Sequence, residues 1–271
     1  MLCRGHRIET PFFLAIAFAV VMVALASTAC PLRAEDSIIQ AVNATYKITN
    51  ASSTATAFVI SRQTEGEEEV ILVTAAHVLE KMKGEELRFV YRRRTDDGGY
   101  ARREFPIKVR DKAKVLWRRH DKADVAAMRI DLPADHSVTP LPLSYILAAD
   151  EQLHLGEDVW VLGYPAKLES SRGGFPVLRH GTVASFPLIP SAKTRTFMVD
   201  YTTFGGDSGG PVFRRETKKD SPPTIVGLIH GQHRETTKAT THIEERTVHR
   251  QMGLAIVVHG KFIRETIDLV K

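Results

Sequence analysis

The sequence predicts an all-β protein of short antiparallel strands, a barrel or sandwich closed by a C-terminal α-helix. Three observations carry this. β-rich runs, most of them five to nine residues long, recur along the chain: TAFVIS (56–61), EVILVT (69–74), LRFVYRR (87–93), FPIKV (105–109), KVLW (114–117), DVAAMRI (124–130), DVWVLGY (158–164), VLRHGTVAS (177–185), TFMVDY (196–201), TIVGLIH (224–230) and GLAIVV (253–258). Gly, Pro, Asp and charged clusters separate them, as in barrels and sandwiches. Only two segments read as helix, AHVLEKM after Thr74 and the terminal KFIRETIDLVK. In the latter, Phe262, Ile263, Thr266, Ile267, Leu269 and Val270 form an apolar stripe suited to packing on a sheet.

The first 34 residues stand apart. Arg4, His6 and Arg7 precede an unbroken apolar run of 15, Phe12 to Ala26, followed by small residues. This is the pattern of a secretory signal peptide, with candidate cleavage sites after Ala26 and Ala34. The run is shorter than the ~20 residues of a membrane span. A retained anchor and a lipid on Cys30 stay open as alternatives. The two cysteines, Cys3 and Cys30, both lie in or beside this segment, so residues 35–271 hold no intrachain disulfide. Stability must come from packing, for which ~240 residues suffice.

Of the formal net charge of +5, the signal segment (Arg4, Arg7 and Arg33 against Glu9) carries +2, which leaves +3 for the folded part. The basic clusters Arg92–Arg94, Arg102–Arg103 and Arg118–Arg119 are interrupted by acids and have no interleaved aromatic platform. They read as solvated hairpin tips, and no nucleic-acid partner is expected. LPADHSVTPLPL (132–143) reads as a connector between two barrels of six strands, and Gln232 to Gln251 as a polar surface loop.

FGGDSGGPVF (204–213) sets four glycines around an aspartate and a serine, between two strand-like runs. A tight turn there can expose the Ser208 hydroxyl beside converging backbone N–H groups, which is what acyl transfer needs. LVTAAHVL places His77 just past a strand end, and DKADVAAMRI places Asp124 at the mouth of another. The three supply a nucleophile, a base and a base-orienting carboxylate, in chain order His, Asp, Ser. Histidine pairs such as His230 and His233, or His242, His249 and His259, fit no metal-ligand spacing, so neither metal nor cofactor is expected.

TAAH, DVA and GDSGGP, in this order, resemble the chymotrypsin-fold serine proteases over roughly residues 40 to 270. LGEDVWVLGYP, HGTVAS and IVGLIHG followed by GLAIVVHGKFIRETI are similar to the bacterial HtrA/Deg branch, although no PDZ-like domain follows. SSTATA also stands where that family has a glycine-serine-rich stretch. The resemblance implies two six-stranded antiparallel barrels, at about 40–131 and 144–260, with a closing helix over 260–270. It implies an exported serine endopeptidase acting on polypeptides, with His77, Asp124 and Ser208 as its triad. The N–H groups of Gly206 and Ser208 would form the oxyanion hole, and Gly209 and Gly210 would keep the departing strand clear of substrate. Thr202 would lie near the floor of the primary pocket, with His230, Gly231 and Gln232 along the edge where a peptide pairs. A neutral Thr202 favours a small or medium apolar side chain. The ring of His230 is expected within reach of Asp124 or the pocket wall, and Asp207 is expected on local backbone N–H groups or water. Two other readings share these residues: a protease-fold chaperone or binding module, and a serine esterase. The esterase would normally use a G-x-S-x-G elbow and another triad order.

Overall fold

The structure, a computed structural model, describes residues 37–51, 53–133, 140–148, 151–215, 221–240 and 245–271. The signal-peptide and Cys30 readings, His242 and part of the 132–143 connector lie outside these residues. None of the described helices is long and apolar enough to cross a membrane.

A short helix α1 (Ser37–Asn43) leads into β1 (Thr45–Thr49), β2 (Thr54–Thr64) and β3 (Glu67–Thr74). Helix α2 (Ala76–Lys81) is followed by the hairpin β4 (Glu86–Arg94) and β5 (Tyr100–Lys108). Four short strands come next: β6 (Arg110–Asp111), β7 (Lys114–Val115), β8 (Arg118–Arg119) and β9 (Ala126–Arg129). After β10 (Leu141–Pro142) come β11 (Asp158–Gly163), β12 (Val177–Val183), β13 (Thr196–Asp200) and β14 (Pro211–Arg214). The chain ends with β15 (Ile225–Thr240), β16 (Glu245–His259) and helix α3 (Gly260–Asp268).

The second half is the closed barrel that the strand spacing predicts, in the order β11-β12-β13-β16-β15-β14. The first half corrects the expectation of a second six-stranded barrel. It is an eight-stranded sheet, ordered β5-β4-β1-β2-β3-β9-β8 with β10 alongside β2, and it does not close. The cause lies in residues 110–119, RDKAKVLWRR. Lys112 takes a left-handed turn (φ 53°), and the charged run yields only two-residue ladders, β6 with β7 and β8 with β9.

The predicted loop from Gln232 to Gln251 is also corrected. β15 and β16 stay paired from Gly227↔His259 out to Thr240↔Glu245 as one long ribbon. Its described outer residues, 233–238 and 247–252, are exposed. With neither face buried, the ribbon needs no apolar alternation.

One core is shared by the open sheet, α3 and the adjoining face of the barrel, and includes Phe58, Leu72, Leu162, Phe213, Leu228, Phe262 and Ile267. A second fills the barrel, with Val159, Val161, Phe197, Val199, Ile229 and Val257. Helix α3 buries the predicted stripe except Leu269, which is 48 % exposed. Arg62 of β2 fixes the helix end, donating to the carbonyls of Ile267 (2.9 Å) and Val270 (2.8 Å) while it pairs with Glu69.

Arg92, read from the sequence as part of a solvated tip, is 1 % exposed. Its guanidinium lies between the rings of Tyr46 and Phe175 and donates to the carbonyls of Asn43, Thr45 and Gly174. Aromatic faces and carbonyl dipoles thus replace water around the charge.

His259, the last residue of β16, is 5 % exposed and stacks on Phe197 with ring centroids 4.8 Å apart. Burial pushes its pKa down to about 4. The folded chain therefore keeps this ring neutral where the unfolded chain, with an ordinary histidine, takes up a proton below ~6.5. Stability from this site is complete above that pH and is lost as pH falls towards 4, by about 2–3 kcal/mol in all. Unfolding measured from pH 7 to 4.5 should show a shallower decline in His259→Leu than in the parent; parallel curves would refute this.

Candidate active site

The register between β3 and β9 brings His77 and Asp124 together. Thr74 opposes Ala126, so the residue three places after one strand meets the residue two places before the other. His77 is the second residue of α2, and its backbone N–H donates to Asp124 Oδ1 at 2.8 Å. Its ring Nδ1 lies 2.5 Å from Asp124 Oδ2. Ring and backbone thus grip both oxygens of one carboxylate, which fixes the imidazole's orientation.

Ser208 lies in the turn between β13 and β14, half-buried. That turn is held from both sides. On the barrel side, Gly209 N–H donates to the Ile229 carbonyl (2.8 Å) and Ile229 N–H to the Gly210 carbonyl (2.9 Å). On the open-sheet side, Thr56 N–H donates to the Ser208 carbonyl (3.0 Å) and Thr56 Oγ1 to the Gly206 carbonyl (2.7 Å). Among the described residues, nothing accepts a hydrogen bond from the N–H of Gly206 or of Ser208.

The glycines have a steric reason that differs from the expected one. Gly206 and Gly209 sit at φ 109° and 83°, where a side chain is strained. A Cβ on Gly206 would meet the Tyr164 carbonyl oxygen at 2.1 Å, and one on Gly209 the Thr56 carbonyl oxygen at 2.3 Å. On Gly210 it would meet the Leu162 carbonyl oxygen at 2.5 Å. Gly209 and Gly210 make room for neighbouring backbone, not for substrate. Gly205 has open space around it.

His230 is where the resemblance placed it. Its Nδ1 lies 2.5 Å from Asp124 Oδ2, and its ring stands edge-on to that of His77 with centroids 5.7 Å apart. Gly231 and Gln232 continue along β15, whose strand partner from Gly231 onward is β16 alone. The other edge is thus not taken by β14. The Gln232 amide meets the Thr203 hydroxyl at 3.0 Å. Thr202 is exposed, its hydroxyl 3.6 Å from where a Cβ on Gly253 would stand.

Burial alone would raise the carboxyl of Asp124. Hydrogen bonds from His230 and His77, with the charge of His77, outweigh it and hold the group well below the usual carboxylate range. The ligand atoms of His77, Asp124 and His230 lie within 4.8 Å of one another, close enough for a metal set. Both nitrogen-to-oxygen contacts, however, are hydrogen-bond length, whereas ligands ~2 Å from one ion lie ~3 Å apart. Of the described histidines dismissed as ligands, His249 pairs with Thr236 in the ribbon and His259 lies at the barrel end.

Asp207 departs from expectation. It is fully buried, not in water, and only one local N–H, that of Phe204 (2.8 Å), reaches it. Its main partner is Arg179 on β12, whose Nη2 lies 2.5 Å from Asp207 Oδ2. Nη1 of the same guanidinium donates to the Thr202 carbonyl (3.0 Å), and the group lies 4.4 Å from the Tyr201 ring centroid. Burial pushes the Asp207 carboxyl up, while Arg179 and the Phe204 N–H oppose it. Arg179 and Thr56 are the site residues that the sequence reading missed. The only local hint of Thr56 is the polar SSTATA where glycines were expected.

An open sheet carrying a His–Asp pair, packed on a closed six-stranded barrel that carries a glycine-flanked serine, is a chymotrypsin-like fold with a small C-terminal helix. The trypsin-like peptidase domain family matches residues 55–219, more than half of the chain, and the chain belongs to that family. No curated protein matches it. Among solved structures, the inactive form of the Rv3671c protease is 20% identical, covering 85% of this chain and 90% of that one, with a TM-score of 0.48. A second structure of Rv3671c, from M. tuberculosis H37Rv, is 18% identical over 88% and 92%, with a TM-score of 0.47. Human heparin binding protein is 15% identical over 84% and 90%, with a TM-score of 0.48.

Proposed function

We propose that this chain is an exported serine endopeptidase. The observation that carries this reading is His77 held on both oxygens of Asp124, together with a rigid turn that leaves two backbone N–H groups free beside Ser208. Ser208 Oγ attacks the scissile carbonyl and its proton passes to His77 Nε2. Asp124 keeps the proton on Nδ1 and stabilises the charged ring. The oxyanion is received by the N–H groups of Gly206 and Ser208. His77 then protonates the leaving amine, and water hydrolyses the acyl-enzyme by the same route in reverse. A peptide adds to the β15 edge at His230, Gly231 and Gln232. Neutral Thr202 beside Gly253 suits a small or medium apolar side chain. The apolar run at 12–26 behind basic residues supports export.

The test is to treat the purified chain with a serine-directed fluorophosphonate and to assay casein and a simple ester in parallel. Labelling of Ser208 with casein cleavage is the expected result. Labelling with ester turnover alone would make it an esterase, and no labelling would leave a binding module.

A further inference from the structure

His230 reaches Asp124 because β15 is irregular there. Ile229 opposes Val257 and Gly231 opposes Ile256, so His230 is an extra residue in the ladder, a β-bulge. Bulges turn a side chain out of the strand's alternation and often do so beside active sites. The bulge is anchored, since the Ile229 N–H and carbonyl are both tied to the serine turn. The result is a single carboxylate oxygen, Asp124 Oδ2, with two imidazole nitrogens each 2.5 Å away.

We propose that His230 is a positioning residue that makes the centre a His–Asp–His unit, in which two imidazoles share one counter-charge. The inference rests on the serine-peptidase reading above. Each ring donates an Nδ1–H to the same oxygen, so each takes part of the charge the other would use. The surroundings add to the demand on that one oxygen. On the side of α2 and β9 stand His77 and Asp124, with Lys122 just before Asp124. From the segment entering β13 come Lys193 and Arg195. These three cations, with His230 and Asp124, line a cavity of about 550 Å³. Among the described residues, Asp124 is the only carboxylate lining that cavity.

The consequence is a triad whose geometry depends on both rings. His230→Leu leaves Asp124 Oδ2 bonded to His77 alone. With one charge-assisted hydrogen bond to the carboxylate gone, kcat should fall about tenfold. His230→Asn puts a neutral N–H close to the Nδ1 position. It should recover most of kcat.

The test uses the full chain labelled with 15N-histidine, followed by NMR at neutral pH, alongside fluorophosphonate labelling rates and kcat for the parent and both variants. Two strongly downfield ring N–H protons are expected in the parent and one in His230→Asn. A single downfield proton in the parent, or the same kcat in the parent and His230→Leu, would overturn the proposal. Should Ser208 fail to react at all, the peptidase reading falls while the NMR comparison still decides whether both rings bond the carboxylate.

Discussion

Ser208→Ala and His77→Ala should each reduce casein hydrolysis by about 10⁴–10⁶-fold, and the double variant should be no slower than either alone, because the two groups act as a unit. Folding should be untouched. The turn is held through the Ser208 carbonyl and not its hydroxyl, and the His77 backbone N–H still reaches Asp124 when the ring is gone. Both side chains are partly exposed, so little cavity is left. The checks are peptidase rate and thermal unfolding on the same preparations. Casein cleavage retained by Ser208→Ala would end the mechanism. Loss of activity accompanied by a fall of many degrees in Tm would show that the substitution acts on folding instead.

Arg179→Met is expected to have the next largest effect, on stability and reactivity together. It leaves the Asp207 carboxylate fully buried with a single N–H partner, and breaking a buried pair from one side costs about 3–5 kcal/mol. Asp207 lies between the two residues proposed to supply the oxyanion donors, so a shift of its side chain would misaim their N–H groups. Ser208 labelling should slow by about 10²–10³-fold, the usual effect of losing one such donor. The double variant Arg179→Met with Asp207→Asn should regain part of the stability, since no uncompensated charge remains. The alternative source of a cation for Asp207 is a free N-terminal amine released by processing. With Arg179 occupying the carboxylate, residues 35–271 made with and without a short N-terminal tag should label at equal rates. Labelling that waits for tag removal, or an Arg179→Met protein as reactive as the parent, would show that Arg179 does not set the turn.

The legible parts of the site were those whose chemistry is local in sequence. TAAH, DVA and GDSGG each announce a strand end or a tight turn, and each carries its functional side chain within the same few residues. Arg179 was illegible because its role exists only when it stands beside Asp207, 28 positions away. VLRHGTVAS reads as an ordinary strand. Thr56 lies 150 positions from the carbonyl it caps, and nothing in TAFVIS marks a threonine as a clamp. In the fold, the barrel half was readable from apolar runs bounded by turn residues, such as DVWVLGY, TFMVDY and GLAIVV. The other half failed to close where charge breaks the chain into two-residue ladders. The ribbon of β15 and β16 was read as a loop because strands exposed on both faces lose the alternation by which strands are recognised.

The clamp from Thr56 to the Gly206–Ser208 backbone has a temporal consequence. Base and carboxylate belong to the open sheet, the serine belongs to the barrel, and the turn that aims the serine borrows its bonds from β2. On the proposed mechanism, a nascent or partly assembled chain, even one with a finished barrel, would hold a serine of no special reactivity. Nucleophilicity would then arrive only when the two halves dock. In a refolding mixture, the moment at which Ser208 begins to take up a fluorophosphonate becomes a clock for that final step, readable against the earlier burial of tryptophan in either half.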